Sequence, residues 1–227
     1  MQFNTFHASL LGLAAITAMS VSPAQAQEND GKGIYAVARA GASFQPKQTL
    51  DGSAFDLSDT FDKKTDYERG FTGEIGAGYD FGIVRVEQTI GYTQHDPKGL
   101  DVGDLTGNGS FNAYNVNLNA FIDLPVSKIF VPFAGGGVGL ARVDADLSRA
   151  DDATGASSSY SGKDWGLLWH ADAGIGVHLS SKATVELGAR YTRISSLKFD
   201  GQNNGADTTF SPKMSTLSGT LGLRYSF

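Results

Sequence analysis

The sequence predicts an all-β fold, an eight-stranded antiparallel up-and-down transmembrane β-barrel, on three observations. Apolar and polar residues alternate with a period of two over eight segments, as they do in strands with one apolar face. The connections between these segments are alternately long and short. The 29 glycines fall mostly at alternate positions within apolar runs. Mean hydropathy is only −0.17, but a barrel wall combines an apolar outer face with a polar interior, so the pattern decides the fold class.

The N-terminal segment predicts an export signal. Residues 10–21 form an apolar stretch, and the small residues Ala24 and Ala26 beyond it form a small-x-small cleavage site. The stretch is shorter than the roughly 20 apolar residues that a membrane-spanning helix needs. We therefore expect residues 1–26 to be a cleavable signal peptide and residues 27–227 to form the barrel domain.

The first four predicted strands lie within residues 34–44, 71–81, 84–92 and 114–123. The first has mostly alanine on one face, so the sequence leaves open which of its two faces points outward. The other three each oppose an apolar row to a row of glycines and polar residues. The apolar rows are Phe71, Ile75, Ala77, Tyr79 and Phe81; Val84, Val86, Ile90 and Tyr92; and Tyr114, Val116, Leu118, Ala120 and Ile122.

The last four predicted strands lie within residues 130–143, 165–179, 184–192 and 216–227. The segment 130–143 is so rich in glycine that its facing also stays open. The segment 165–179 has the clearest alternation, because one parity is wholly apolar while the other carries His170 and Asp172. The apolar rows of the three clear strands are Trp165, Leu167, Trp169, Ala171, Ala173, Ile175, Val177 and Leu179; Val185, Leu187, Ala189 and Tyr191; and Leu217, Leu221, Leu223, Tyr225 and Phe227.

Long and short connections alternate along the chain. The short ones are residues 80–82, 124–128 and 180–182, and the long ones are residues 45–69, 95–108, 144–163 and 196–213. Bacterial outer-membrane barrels have short periplasmic turns and longer extracellular loops. Eight strands with both termini on the side of the short turns reproduce this plan.

The charge distribution separates a membrane barrel from a soluble one. A soluble barrel buries apolar residues inside and exposes polar ones. Here the face opposite each apolar row carries Arg, Glu, Asp and Asn, which a small soluble core would bury only at high cost. Lipid outside a polar interior removes this conflict. A net charge of −6 and a pI near 5.1 exclude nucleic-acid binding, which needs a basic surface.

The predicted lumen contains arginines and carboxylates in similar numbers. Counting from the strand ends places Asp172 level with Arg190, and Glu186 level with Arg224. Because the interior of an eight-stranded barrel is only wide enough for side chains to fill, we expect these charges to pair and plug it. The alternative is a charged constriction that selects ions in a narrow porin. The predicted lumenal network is Arg39, Glu74, Arg85, Glu87, Asp172, Glu186, Arg190 and Arg224.

Three segments carry a resemblance to a known family. The C-terminal residues 221–227 resemble the terminal assembly signal of outer-membrane barrels, with Leu223, Tyr225 and Phe227 at alternate positions. Residues 130–139 and 186–191 are similar to stretches of the opacity-protein/OmpA-like outer-membrane barrels. The resemblance implies a bacterial outer-membrane protein, such as a surface antigen, an adhesin, an envelope-stabilising barrel or a narrow porin.

The resemblance also implies partners. During biogenesis these would be periplasmic chaperones and the barrel-assembly machinery, and in the membrane they would be outer-membrane lipid and lipopolysaccharide. We expect a monomer whose loops contact a host or cell-surface ligand. A third alternative function, binding of a small ligand such as haem, has no particular residue to support it.

No residue set predicts catalysis, a metal or a cofactor. His170 and Asp172 lie on a strand interior with no nucleophile beside them, so a structural pair is the simpler interpretation. Asp144 and Asp146 form an Asp-x-Asp pair but lack the later glycine and glutamate of a calcium loop. We therefore expect neither a catalytic residue nor a metal ligand.

Overall fold

The computed structural model describes residues 32–51, 70–95, 105–151, 156–203 and 205–227. The predicted signal peptide, with Ala24 and Ala26, lies outside these residues. The strands are β1 (Gly33–Asp51), β2 (Gly70–Asp80), β3 (Val84–His95), β4 (Leu105–Asp123), β5 (Phe130–Asp151), β6 (Ala156–His178), β7 (Ala183–Ser195), β8 (Phe199–Asn203) and β9 (Ala206–Ser226). Among the described residues, no helix is long and apolar enough to cross a membrane.

The strands close into one antiparallel barrel. Each pairs with the next along the chain from β1 to β7, then β7 pairs with β9, and β9 returns to pair with β1. β8 continues the line of β7, because both lie between β6 and β9. The barrel wall therefore has eight positions, and the prediction of an eight-stranded up-and-down barrel is confirmed.

The wall position shared by β7 and β8 contains a break that the sequence analysis did not predict. Residues 196–198 leave the sheet, Ser196 adopts a positive φ of 66°, and the register against β9 shifts by one residue across the break. Leu197 turns into the barrel and is buried there. This irregularity resembles a β-bulge, which bends a strand and redirects its side chains.

All four predicted long loops are partly strand. β1 runs on to Asp51, β4 begins at Leu105, and β5 and β6 stay paired up to Asp151 and Ala156. The segment 196–213 forms β8 and the start of β9, joined by a tight turn in which Gly205 has a φ of +78°. A glycine suits this turn because it adopts positive φ without steric cost. Long polar segments predict loops from their composition, but paired backbones form strands without an apolar face.

The alternation of side chains matches the barrel wall. The clear apolar rows point outward, with Leu187 and Leu221 about 60% exposed, while the opposite rows point inward. The burial pattern also shows which side chains of β1 and β5, the two strands with open facing, point outward. In β1 the alanines face outward and Tyr35 faces inward, and in β5 Val138 faces outward and Phe133 inward.

Candidate functional site

Arg39 lies at the centre of a buried ion-pair network inside the barrel. Its guanidinium donates to Glu74 at 3.0 Å, to Glu87 at 2.7 and 2.8 Å, and to Glu186 at 2.8 and 3.1 Å. The three carboxylates come from β2, β3 and β7, so one side chain of β1 links four strands across the lumen. Such charge-assisted contacts are the stronger class of hydrogen bond.

Arg190 connects the network to a histidine. It donates to Glu74 at 2.6 and 3.0 Å and to Asp172 at 2.6 Å. The register places Asp172 directly opposite Arg190 on the neighbouring strand. His170 Nδ1 contacts Asp172, and its Nε2 lies 2.9 Å from Asn119 Oδ1. Both ring nitrogens are engaged within the network, so His170 is poorly placed to act as a general base on a substrate.

Arg85 packs its charge against aromatic rings. It donates to Glu87 at 2.7 Å and to Asp123 at 3.0 Å. Its guanidinium carbon lies 4.3 Å from the centroid of Phe121 and 5.0 Å from that of Phe133. Its Nη2 has no hydrogen-bond acceptor among the described residues. The electron-rich ring faces therefore supply electrostatic stabilisation of the cation that hydrogen bonds do not. The guanidinium is therefore held on its edge by carboxylates and on its face by rings.

Arg224 closes the network at the barrel end with the short turns. It donates to Asp80 at 3.2 Å and to Asp123 at 3.3 Å, and these aspartates are the last residues of β2 and β4. The expectation that Glu186 lies level with Arg224 was wrong by two residues, because the register places Thr184 opposite Arg224. The two charges still approach diagonally, at 3.6 Å.

Glycines leave room for these long side chains. A Cβ at Gly222 would lie 2.8 Å from Cγ of Arg39, so a larger residue on this stretch of β9 would displace the arginine. The small residue therefore keeps Arg39 within reach of its three carboxylates.

All eight residues predicted to form the lumenal network lie together inside the barrel. The prediction missed Asp80 and Asp123, which share the inward parity of their strands, and Tyr35, whose hydroxyl donates to Glu87 at 2.9 Å. Tyr35 follows the inward parity of β1, but the alanines of β1 do not distinguish its inner face from its outer face in the sequence. Phe121 was missed because an inward aromatic looks out of place in a polar lumen, yet it supports Arg85.

A polar cavity and an apolar cluster follow the network toward the long strand extensions. The cavity has a volume of about 40 Å³, and threonines and asparagines form much of its lining. It has room for two or three water molecules, since one needs about 10–15 Å³. Arg190 on one side and Leu168 and Ile194 on the other also line it, so it separates the network from the cluster. We call this cluster the apolar cap: Ala113, Ala141, Val143, Ala145, Tyr160, Leu168, Ile194, Leu197 and Phe199.

The network contains four arginines and six carboxylates in close contact. The carboxylates are Glu74, Asp80, Glu87, Asp123, Asp172 and Glu186. Among the described residues, no group of three or more His, Cys, Asp or Glu is arranged to hold a metal ion. With the arginines between the carboxylates, the arrangement offsets most of the negative charge and fills space across the lumen.

A closed antiparallel barrel with an apolar outer face and a charged interior defines the class of integral outer-membrane β-barrels. Residues 11–227 match the family described as outer membrane protein beta-barrel domain. The chain belongs to this family and resides in the bacterial outer membrane.

One curated protein matches part of the chain, and two solved structures are similar to its fold. The candidate adhesin RC1281 of Rickettsia conorii (strain ATCC VR-613 / Malish 7) is 37% identical over 102 residues, which are 41% of this chain and 40% of that protein. The match thus spans about two fifths of this curated relative. The outer membrane protein OprG of Pseudomonas aeruginosa has a TM-score of 0.51 and 19% identity over 86% of this chain and 96% of OprG. Neisserial surface protein A has a TM-score of 0.48 and 20% identity over 87% of this chain and 98% of that protein.

Proposed function

We propose that this protein is a closed outer-membrane barrel that acts through its extracellular surface, as an envelope-stabilising or adhesin-like protein, rather than as a porin or an enzyme. The observation that carries the proposal is the arginine–carboxylate network. Its four arginines reach carboxylates on β2, β3, β4, β6 and β7 from β1, β3, β7 and β9. An ion that crossed the lumen would have to displace contacts of 2.6–3.3 Å.

The apolar cap gives a second reason to expect a closed lumen. Phe199 and Leu197 are almost completely buried between β6 and β9, and Tyr160 stacks on Phe199 with ring centroids 5.5 Å apart. An ion entering from this end would lose its hydration against apolar groups, which is unfavourable. The network and the cap would therefore block passage in series.

Planar-bilayer recording tests the closed lumen. The protein purified from outer membranes should give no reproducible single-channel openings, because every route crosses both the network and the cap. Folding is checked by the mobility shift between heated and unheated samples in gel electrophoresis. A variant with Glu74→Ala, Arg190→Ala and Phe199→Ala serves as the positive control, since it removes contacts from both barriers. Steady openings of the folded wild type would instead support the narrow porin.

The surface role is supported by the long β5–β6 hairpin and by a relative. The two strands have 22 and 23 residues, roughly twice the 9–11 that cross a membrane, so the hairpin projects well beyond the bilayer. Its outer part is polar, and Ser157, Ser159 and Ser161 are exposed. The matching Rickettsia protein is named as a candidate adhesin.

A shortened hairpin tests the surface role. Replacing residues 148–159 by Asn-Gly would join Leu147 and Tyr160, which pair in the sheet, through a two-residue turn. Bacteria carrying this variant should lose adhesion to host cells while retaining a folded barrel. A Gly-Ser insertion after Ser181, in a short turn at the opposite end, is the control and should leave adhesion intact. Equal adhesion by both variants would remove the hairpin from the proposal.

Export and assembly complete the proposal. Ala24 and Ala26 form the cleavage site, and cleavage after Ala26 would remove residues 1–26. N-terminal sequencing of the exported protein would then start at Gln27. Leu223, Tyr225 and Phe227 form an exposed outward row at the end of β9, which suits recognition by chaperones and the barrel-assembly machinery.

A further inference from the structure

Among the arginines whose side chains the structure describes, two point away from the lumen. Arg142 follows the outward parity of β5, and Arg193 follows that of β7. In the register, Arg142 stands opposite Tyr114 on β4 and Trp165 on β6. Its guanidinium carbon lies 6.0 Å from the Trp165 ring centroid. An arginine on the outer wall thus lies among aromatic side chains.

Both arginines lie at one level of the membrane. Arg142 is twelve residues beyond Phe130, the periplasmic start of β5, and Arg193 is ten residues beyond Ala183, the start of β7. At about 3.3 Å per residue and a strand tilt of about 40°, these separations correspond to roughly 25–30 Å along the membrane normal. The apolar band of such barrels is about 25 Å tall. The arginines therefore lie at the extracellular boundary, where Trp165 and Tyr114 belong to the interfacial aromatic girdle.

Neither arginine is neutralised by a described residue. Arg142 makes its cation–π contact only, and Arg193, opposite Trp169 in the register, has no ion pair within the described part of the chain. By contrast, the exposed Lys163 lies 2.7 Å from Asp144. The wall therefore presents two uncompensated guanidinium groups beside tryptophans at a lipid–water boundary.

We propose that Arg142 and Arg193 bind the phosphate groups of lipid A, the anchor of lipopolysaccharide in the outer leaflet. The argument is charge complementarity at a fixed depth. Guanidinium groups bind phosphate bidentately, and the cation–π contact with Trp165 keeps the Arg142 guanidinium at this level of the wall. Trp169 and Tyr114 would contact the sugar and the upper acyl chains at the same level. This site lies on the outer wall and does not depend on a closed lumen.

Native mass spectrometry of the full-length protein with purified lipid A tests the site. The wild type should retain bisphosphorylated lipid A about 30-fold better than dephosphorylated lipid A, the ratio expected for two interfacial cations. The double variant Arg142→Gln, Arg193→Gln should lose this preference. Lys163→Gln is the matched control, because it removes a cation at the same boundary that is already paired, and it should keep the preference.

Four outcomes would overturn the proposal. One is equal retention of both lipids by the wild type, and another is an unchanged preference in the double variant. The third is an equal loss in the Lys163→Gln control, which indicates diffuse charge attraction. Displacement of lipid A by millimolar inorganic phosphate would also count against it, since it reassigns the site to free phosphate. The heat-dependent gel shift confirms that each variant is folded before it is scored.

Discussion

At the scale of single residues, the stability of the lumen depends on pairing rather than on charge itself. Taking an arginine and a carboxylate out of water is costly, and their contact offsets this cost only when geometry is good. Arg39 meets that condition with five hydrogen bonds to three glutamates. Its loss would leave Glu87 and Glu186 buried with fewer partners.

Arg39→Met should therefore lower the free energy of unfolding by about 3–5 kcal/mol, the usual cost of breaking a buried ion pair from one side. The measurement is equilibrium unfolding in urea with the protein in lipid vesicles, followed by tryptophan fluorescence. Lys163→Met removes an exposed ion pair and should cost no more than about 1 kcal/mol. If the two variants were equally stable, the network would not support the fold.

At the scale of strands, the break between β7 and β8 anchors the apolar cap. The chain leaves the sheet at Ser196, turns Leu197 inward, and resumes as β8 with Phe199 packed on Tyr160. β8 has only five residues, and the buried side chains at the break add to its backbone pairing with β6 and β9.

Phe199→Ala should loosen this part of the wall without unfolding the barrel. Hydrogen–deuterium exchange should rise in β8 and in residues 158–160 of β6, which pair with it, while β2 and β3 remain protected. Removing a buried phenylalanine typically costs about 3–5 kcal/mol, enough to speed local exchange by orders of magnitude. Phe81→Ala, at an exposed position near the short turns, is the control and should change neither region.

The strands were largely predictable from the sequence, and the break was not. Strict alternation, as from Trp165 to Leu179, specifies both a strand and its two faces. The break at 196–198 has no such signature, because its one inward residue, Leu197, lies in a polar segment. The dipeptide Asn204-Gly205 could have indicated the β8–β9 hairpin, since it is a strong signal for a two-residue turn.

The composition of the site was easier to predict than its geometry. Parity identified which charges point inward, so Arg190 and Asp172 could be matched on neighbouring strands. Contacts between distant strands, such as Arg39 with Glu186 or Arg224 with Asp123, depend on the stagger of the closed barrel. A single sequence does not encode that stagger in any local pattern.

At the scale of the whole molecule, lipid outside and charge inside reverse the order of a soluble protein. Leu221 is 59% exposed and lies midway along the membrane-facing row of β9, near the bilayer midplane. Its surroundings in the membrane are acyl chains, which cannot solvate a charge.

Leu221→Arg should therefore destabilise the barrel by about 2–4 kcal/mol, as for an arginine at the bilayer midplane, whereas Leu179→Arg at the rim should cost only about 0–1 kcal/mol. Both leucines are exposed on the outer face, so they differ mainly in depth. Urea unfolding in vesicles measures both. Similar costs at the two positions would contradict the membrane placement of this face.

The projecting β5–β6 hairpin has an evolutionary consequence. Its outer part is paired residue by residue from Asp146 with Ser161 to Asp151 with Ala156, and backbone pairing places few demands on side-chain identity. The lumen has no such freedom, because the arginines there share a small set of buried carboxylates. Replacements in the exposed hairpin can thus accumulate while the barrel stays constant. Isolates of one species should accumulate amino-acid replacements in this hairpin first.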